Sequence, residues 1–233
     1  MSMGTSAGPI LRAALRVLDS RMDTLERLVD VGCGAGDLLR ALGRSPRSYV
    51  GVDLVRYEGF PFSEAPEFIQ ANLNAPIPLE DGCADAVVSV ETIEHLENPR
   101  AFMRELARLA RPGGVVLVTT PNQLSFLSKL TLVVKNRFNA FTDAVYPAHI
   151  TALLEADLRR IATESGLEQV EVVFTDHGRI PGTGANWPRA LGFRGRAFSD
   201  NIVVSGLKPD RPSPARVRPT DHPVDDPQKG RGK

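Results

Sequence analysis

The stretch LVDVGCGAGD, residues 28–37, decides the fold. A short β-branched, apolar run ends at Gly32, two more glycines follow at Gly34 and Gly36, and Asp37 opens a helix. Glycines let the backbone turn tightly and bring bare N–H groups to a ligand beside the positive end of a helix. The dinucleotide fingerprint spaces its glycines G-x-G-x-x-G. Here the spacing is G-x-G-x-G, and Asp37 stands where the last glycine would be. That argues against a nicotinamide dinucleotide and against hydride transfer.

Working outward, strand-like and helix-like segments alternate. Strands are predicted at 27–32, 48–53, 67–73, 84–90, 114–121, 170–174 and 201–207. Helices are predicted at Asp37–Leu42, at Ala101–Ala110 with Phe102, Leu106 and Leu109 on the apolar face, and in LEADLRRIATESG, closed by Gly166. This rhythm predicts an α/β domain whose mainly parallel sheet is covered on both faces. Open parallel sheets bind ligands at the carboxyl ends of their strands. Asp53 ends the second strand, where a carboxylate can hold both hydroxyls of a ribose, and Asn72 ends the third, within reach of an adenine edge. An adenosine carried without a pyrophosphate fits these positions. A helix cap for Asp53 and a turn for Asn72 are the plain structural alternatives.

A second informative stretch is VSVETIEHLENP, residues 88–99. On one helical turn, positions i, i+3 and i+4 share a face. Glu91, Glu94 and His95 are therefore expected to point together from the end of the fourth strand.

The totals describe an ordinary globular chain: 233 residues, 42% hydrophobic, with 28 basic and 28 acidic residues. Zero net charge gives no global attraction to nucleic acid or anionic membrane. No apolar run approaches the roughly 20 residues that span a bilayer, and arginines with Asp19 interrupt any signal-peptide core, so a cytoplasmic protein is expected. Cys33 and Cys83 fall at opposite ends of strands, about 17–20 Å apart, too far for a disulfide, which needs Cα atoms within about 7 Å.

Three segments break the rhythm. Residues 123–148 form an insertion in which Phe126, Leu130, Val134 and Phe138 recur every four residues beside Lys129, Lys135 and Arg137. Such a basic amphipathic helix is a lid, a membrane-surface or partner contact, or a helix packed on the domain. Residues 177–198 carry Arg179, Arg189, Arg194 and Arg196 with no acid, and are expected to wall an acceptor pocket, to contact an anionic acceptor, or to be solvated. Trp187 is a pocket wall or a loop anchor, and His177 and His222 are expected at the surface. The tail 208–233 has six prolines and only Ala215, Val217 and Val224 as aliphatics, a composition that cannot offset its ordering entropy, so it is expected to be disordered. The folded domain is expected to span 1–207.

The ordered series VDVGCGAGD, GVDL, PLEDGCADAVVSVETIEHLENP and ELARLARPGGVVLVTTPN resembles the class I S-adenosylmethionine-dependent methyltransferases across residues 25–207. The resemblance implies a Rossmann-like, seven-stranded sheet whose last strand runs antiparallel. It implies that Asp30 and the Gly32, Cys33, Gly34, Gly36 loop hold the methionine part of S-adenosylmethionine. Asp53 and Leu54 would then meet the ribose, Asn72 and Leu73 the adenine, and Val90 the methyl end. The segment LVRYEGFPFSEAP, after Asp53, departs from the family in being too short and proline-rich for a good crossover helix.

The E-x-x-E-H cluster is similar to that of ubiquinone-pathway O-methyltransferases, where it binds a divalent metal. It is also similar to that of small-RNA 3′-end ribose methyltransferases, which add a histidine downstream of a TPN like Thr120–Asn122. His149 stands in that place, although the histidine- and aromatic-rich stretch of the RNA enzymes is missing. Glu91, Glu94, His95 and His149 are thus candidate catalytic residues and candidate ligands for Mg²⁺ or another divalent ion. In the metal-free alternative His95 or His149 is a general base, or both only shape the pocket. The expectation is an S-adenosylmethionine-dependent methyltransferase acting on oxygen of a small-molecule, glycan or lipid-linked acceptor, with nucleic acid not expected. RNA ribose methylation and a non-catalytic cofactor-binding scaffold are the rivals.

Overall fold

The structure, a computed structural model, describes residues 8–43, 46–61 and 67–210. Seven strands form one sheet in the order β3-β2-β1-β4-β5-β7-β6. They are β1 Arg27–Val31, β2 Ser48–Asp53, β3 Glu67–Gln70, β4 Ala84–Val90, β5 Ala110–Pro121, β6 Glu168–Phe174 and β7 Asn201–Leu207. The pairs from β3 to β5 are parallel, and β7 runs antiparallel to both β5 and β6. The predicted Rossmann-like sheet with an antiparallel last strand is therefore the observed one.

The strands are valine-rich because helices cover both faces. Val29, Val50, Val52 and Val87 are fully buried. Helices α1 (Gly8–Arg21) and α2 (Asp37–Ala41) bury one face, while α3 (Pro99–Leu109) and α5 (Glu155–Glu164) bury the other. Helix α3 starts where the sequence places a cap: the Asn98 side chain accepts from the Ala101 amide at 2.9 Å, and Pro99 follows in the first turn.

Some boundaries move for local reasons. Strand β3 stops at Gln70 rather than 73, because the Asn72 side chain accepts from the Asn74 amide at 3.0 Å and turns the chain. Strand β5 begins at Ala110, ahead of a register shift. Residues 54–61 contain no helix, as the proline-rich sequence predicted; instead Phe60 inserts its ring against the sheet, 1% exposed. A Cβ on Gly51 would lie 2.6 Å from that ring, so only glycine leaves room for it. Cys33 and Cys83 are both free thiols.

The insertion forms α4 (Phe126–Lys135), but most of its apolar stripe is left exposed. Ser128 is its one buried residue, while Phe126, Leu130, Val133 and Val134 are 45%, 39%, 84% and 69% exposed. The inward side of this helix is hydroxylated, so the apolar side is left outward. Asn136, with φ of 52°, ends the helix and takes Phe138 off the stripe.

The arginine-rich loop is not a free cationic wall. Arg179 pairs with Asp200 at 2.5 Å, Arg196 with Glu155 at 2.8 Å and Arg189 with Asp176 at 3.8 Å, acids supplied from outside the stretch 177–198. Arg194 donates to the Arg189 carbonyl. Trp187 anchors the loop against Phe193, Phe198 and Phe126, with ring centroids 5.1, 5.2 and 5.9 Å away. His177 is half-buried rather than a surface residue, and His222 lies outside the described residues. No helix among the described residues is long and apolar enough to cross a membrane.

Candidate active site

At the carboxyl ends of β1, β2 and β4 a cleft of about 410 Å³ opens. The glycine loop forms its floor. Gly32, Gly34 and Gly36 have φ of 80°, 52° and 86°, a region that penalises any side chain with a Cβ. At Gly32 space forbids one as well: a Cβ would sit 2.1 Å from Thr92 Oγ1. Asp53 braces the loop, accepting from the Gly34 amide at 2.9 Å with one oxygen and from the Leu54 amide at 2.7 Å with the other.

The cleft gathers most of the residues expected to hold a nucleoside: Gly32, Cys33, Gly34, Asp53, Leu54, Asn72, Leu73 and Val90 all line it. Asn72 makes its turn and faces the cleft, so its two readings are compatible. Asp30 and Gly36 are not in the lining. The buried Asp30 carboxylate accepts from the Tyr49 hydroxyl, and burial pushes its pKa up to about 7. Sequence reasoning missed Val55 and Tyr57, which complete the wall after β2. Their signal was the departure itself, a proline-rich segment in which residues 54–61 form no helix.

The ETIEH stretch adopts a different shape from the one its spacing suggested. Only Ile93–His95 form a 3-10 turn. Glu91 precedes it with φ of 51°, and its amide is held by the Thr119 carbonyl and hydroxyl at 3.1 and 3.0 Å. This left-handed step turns the Glu91 side chain away, so that its Oε1 accepts from Asn201 Nδ2 at 2.5 Å. Glu91 is therefore not one of the grouped ligands, a correction to the four-residue set. Burial raises its pKa to about 7, against the opposing bond from Asn201.

Glu94, His95 and His149 do converge, each offering a ligand atom within 4.8 Å of the others. The segment after the insertion is pinned onto the turn: the amides of Ile150 and Thr151 both donate to the Glu94 carbonyl at 3.0 Å, and the Thr151 hydroxyl donates to the Leu96 carbonyl at 2.8 Å. The two imidazoles meet edge to face at 4.7 Å. Nδ1 of His95 lies 2.6 Å from the Ala148 carbonyl, and Nδ1 of His149 lies 2.7 Å from the Ala140 carbonyl. A carbonyl only accepts, so both Nδ1 atoms carry hydrogen and both Nε2 atoms present lone pairs in the neutral rings. Burial, then the neighbouring His95, lowers the His149 pKa. Glu94 is 1% exposed; Thr120 donates to its Oε2 at 3.0 Å, while Oε1 is buried without a partner. Burial, reinforced by Glu91, raises the Glu94 pKa to about 8.

Glu91 and His149 also line a second cavity of about 460 Å³. Its walls come from the start of α1, the end of β5, residues 122–128, 139–140, 175–186 and the start of β7. No local pattern announces it, because these segments are far apart in sequence.

Compared with known proteins, residues 7–172 match a family described as methyltransferase domain. The chain belongs to that family. It is 35% identical over 107 residues to a Mycobacterium tuberculosis protein named "Probable S-adenosylmethionine-dependent methyltransferase Rv3030", covering 44% of this chain and 38% of that one. It is 27% identical over 159 residues to the mitochondrial ubiquinone biosynthesis O-methyltransferase of Rattus norvegicus, covering 60% of this chain and 46% of the rat protein. The match thus spans less than half the length of either relative. A solved S-adenosylmethionine-dependent methyltransferase from Archaeoglobus fulgidus superposes with a TM-score of 0.60 at 18% identity, covering 87% of this chain and 95% of that one. That likeness is one of fold. A methyltransferase domain of this family uses S-adenosylmethionine, and the glycine loop, Asp53 and Asn72, the positions expected to meet it, face one cleft.

Proposed function

We propose that this protein transfers the methyl group of S-adenosylmethionine to a hydroxyl oxygen of a small-molecule, glycan or lipid-linked acceptor. The observation that carries the reading is the His149 imidazole, which lines both cavities and has Nε2 free. Bound in the cleft, S-adenosylmethionine supplies an electrophilic methyl carbon. The acceptor oxygen bonds to that carbon as the sulfur–carbon bond breaks, and the hydroxyl proton goes to His149 Nε2. The lowered His149 pKa keeps the ring neutral and ready to accept. The chain's further contribution is alignment of the two reactants, which can supply roughly 7–11 kcal/mol of barrier reduction. The test is label transfer from methyl-tritiated S-adenosylmethionine to a pooled hydroxyl panel. His149→Ala should lower turnover about 10²-fold or more while S-adenosylhomocysteine affinity stays unchanged; equal turnover removes His149 from the chemistry.

The orphaned Glu94 Oε1 supports a second reading of the same cluster. Glu94, His95 and His149 offer ligand atoms within 4.8 Å of one another, a carboxylate-and-imidazole set that would suit Mg²⁺, Mn²⁺ or Zn²⁺, and such an ion would acidify a bound hydroxyl. Calorimetric titration of chelator-treated, S-adenosylhomocysteine-bound protein separates the readings: stoichiometric binding lost in Glu94→Ala favours the metal, and no heat favours the base. The outward apolar face of α4, flanked by Lys129 and Lys135, supports contact with an anionic lipid surface carrying the acceptor.

A further inference from the structure

The second cavity has a chemistry of its own. Its fixed charges are spoken for. Arg179 Nε donates to Asp200 Oδ2 at 2.5 Å, closing the one guanidinium in the lining onto the one aspartate there. The Glu91 carboxyl accepts from Asn201. Between these pairs the walls present carboxamides and hydroxyls. The side chains of Asn139 and Asn186 carry no hydrogen bond among the described residues, and Asn201 Oδ1 accepts none there while its Nδ2 is given to Glu91. A carboxamide offers two donors and an acceptor, the same mixed set a hydroxyl requires. Pro9, Ile10, Pro121 and Ala140 add apolar wall, against which the C–H face of a sugar ring can lie. A phosphorylated or carboxylated acceptor would have to compete with Asp200 for Arg179, the one guanidinium in the lining.

Resting on the O-methyl reading, we infer that the cavity takes an uncharged, polyhydroxylated acceptor, a sugar ring, with one hydroxyl at the mouth shared by Glu91 and His149. Asn139 and Asn186 then read the remaining hydroxyls. Loss of either carboxamide leaves sugar hydroxyls unpaired, which weakens acceptor binding without touching the nucleoside cleft.

The test offers methyl-tritiated S-adenosylmethionine and the full chain three acceptors in parallel: a mixture of neutral methyl hexopyranosides, glucose 6-phosphate, and catechol. Saturation-transfer NMR of the same compounds is recorded with S-adenosylhomocysteine bound. The expected result is label in the neutral glycosides, with Asn186→Leu and Asn139→Leu each raising KM for the glycoside at least tenfold and leaving S-adenosylhomocysteine affinity unchanged. Label confined to catechol or glucose 6-phosphate overturns the sugar inference and leaves O-methyl transfer standing. Glycoside saturation-transfer signals that vanish in Asn186→Leu, with no label in any hydroxyl, support the sugar site and sink the transfer reading. Absence of both label and glycoside signal overturns the inference, as does a glycoside KM unmoved by both substitutions.

Discussion

Gly32 shows how one hydrogen atom fixes a site. Its φ of 80° and the 2.1 Å that a Cβ would leave to Thr92 make any replacement both strained and obstructed. Gly32→Ala is expected to lose about 2–4 kcal/mol of stability and S-adenosylhomocysteine binding together, read by urea unfolding and calorimetry; wild-type affinity would show that the loop relaxes. Asp30 is the opposite case, a group whose charge the fold resists. Its folded pKa of about 7 lies above the usual carboxylate value, so its contribution to stability is complete below about pH 4 and is lost as pH rises through 7. Asp30→Asn keeps an acceptor for the Tyr49 hydroxyl and removes the ionisation. Unfolding measured from pH 4 to 8 should therefore show the variant gaining on the wild type by a few kcal/mol at most; parallel curves would mean that Asp30 titrates normally. Asp53 was placed at the cleft because a strand end is a local feature, and Asn72 because an Asn–x–Asn turn is one too. The direction of Glu91 was not legible: its spacing promised a shared helical face, and a left-handed backbone step held by Thr119 cancelled the promise.

At the scale of elements, periodicity fixed where the strands and helices lie but not what each helix faces. Helix α4 carries the i, i+4, i+8 stripe of a packed helix, yet it presents Ser128 to the domain and leaves Val133 and Val134 to solvent. Replacing both valines by serine should change stability by no more than about 0.5 kcal/mol, as for other exposed sites. The same double variant should lose cosedimentation with phosphatidylglycerol vesicles. Equal vesicle binding would reject the lipid contact, and a large drop in melting temperature would show that the stripe is packed after all. The docking of residues 150–151 on the Glu94 carbonyl was equally hidden. Backbone bonds across more than fifty residues leave no trace in a local pattern, so His149 was placed by resemblance alone.

At the scale of the molecule, β7 joins the sheet to the second cavity. It lies between β5 and β6 and carries Asn201 to Glu91 at its start. Its far end meets the first residue of the proline-rich tail. The change to a proline-rich tail suggested an end at residue 207, but Lys208 continues the structure. Its amide donates to the Gly114 carbonyl at 2.9 Å, its carbonyl accepts from the Gly113 amide at 2.8 Å, and its Nζ donates to the carbonyls of Ala110 at 2.7 Å and Arg108 at 3.2 Å. These bonds close the turn that opens β5, and charged donors of this kind contribute about 1.5–3 kcal/mol each at best. Two truncations isolate them: a chain ending at Asp210 and one ending at Leu207 differ by three residues. The shorter chain should be less stable by about 2–4 kcal/mol in urea while keeping the affinity for S-adenosylhomocysteine, because the cleft lies at the opposite ends of the parallel strands. Identical unfolding of the two chains would place the boundary at 207, and a loss of cofactor affinity in the shorter one would mean that the turn before β5 communicates with the glycine loop through the sheet.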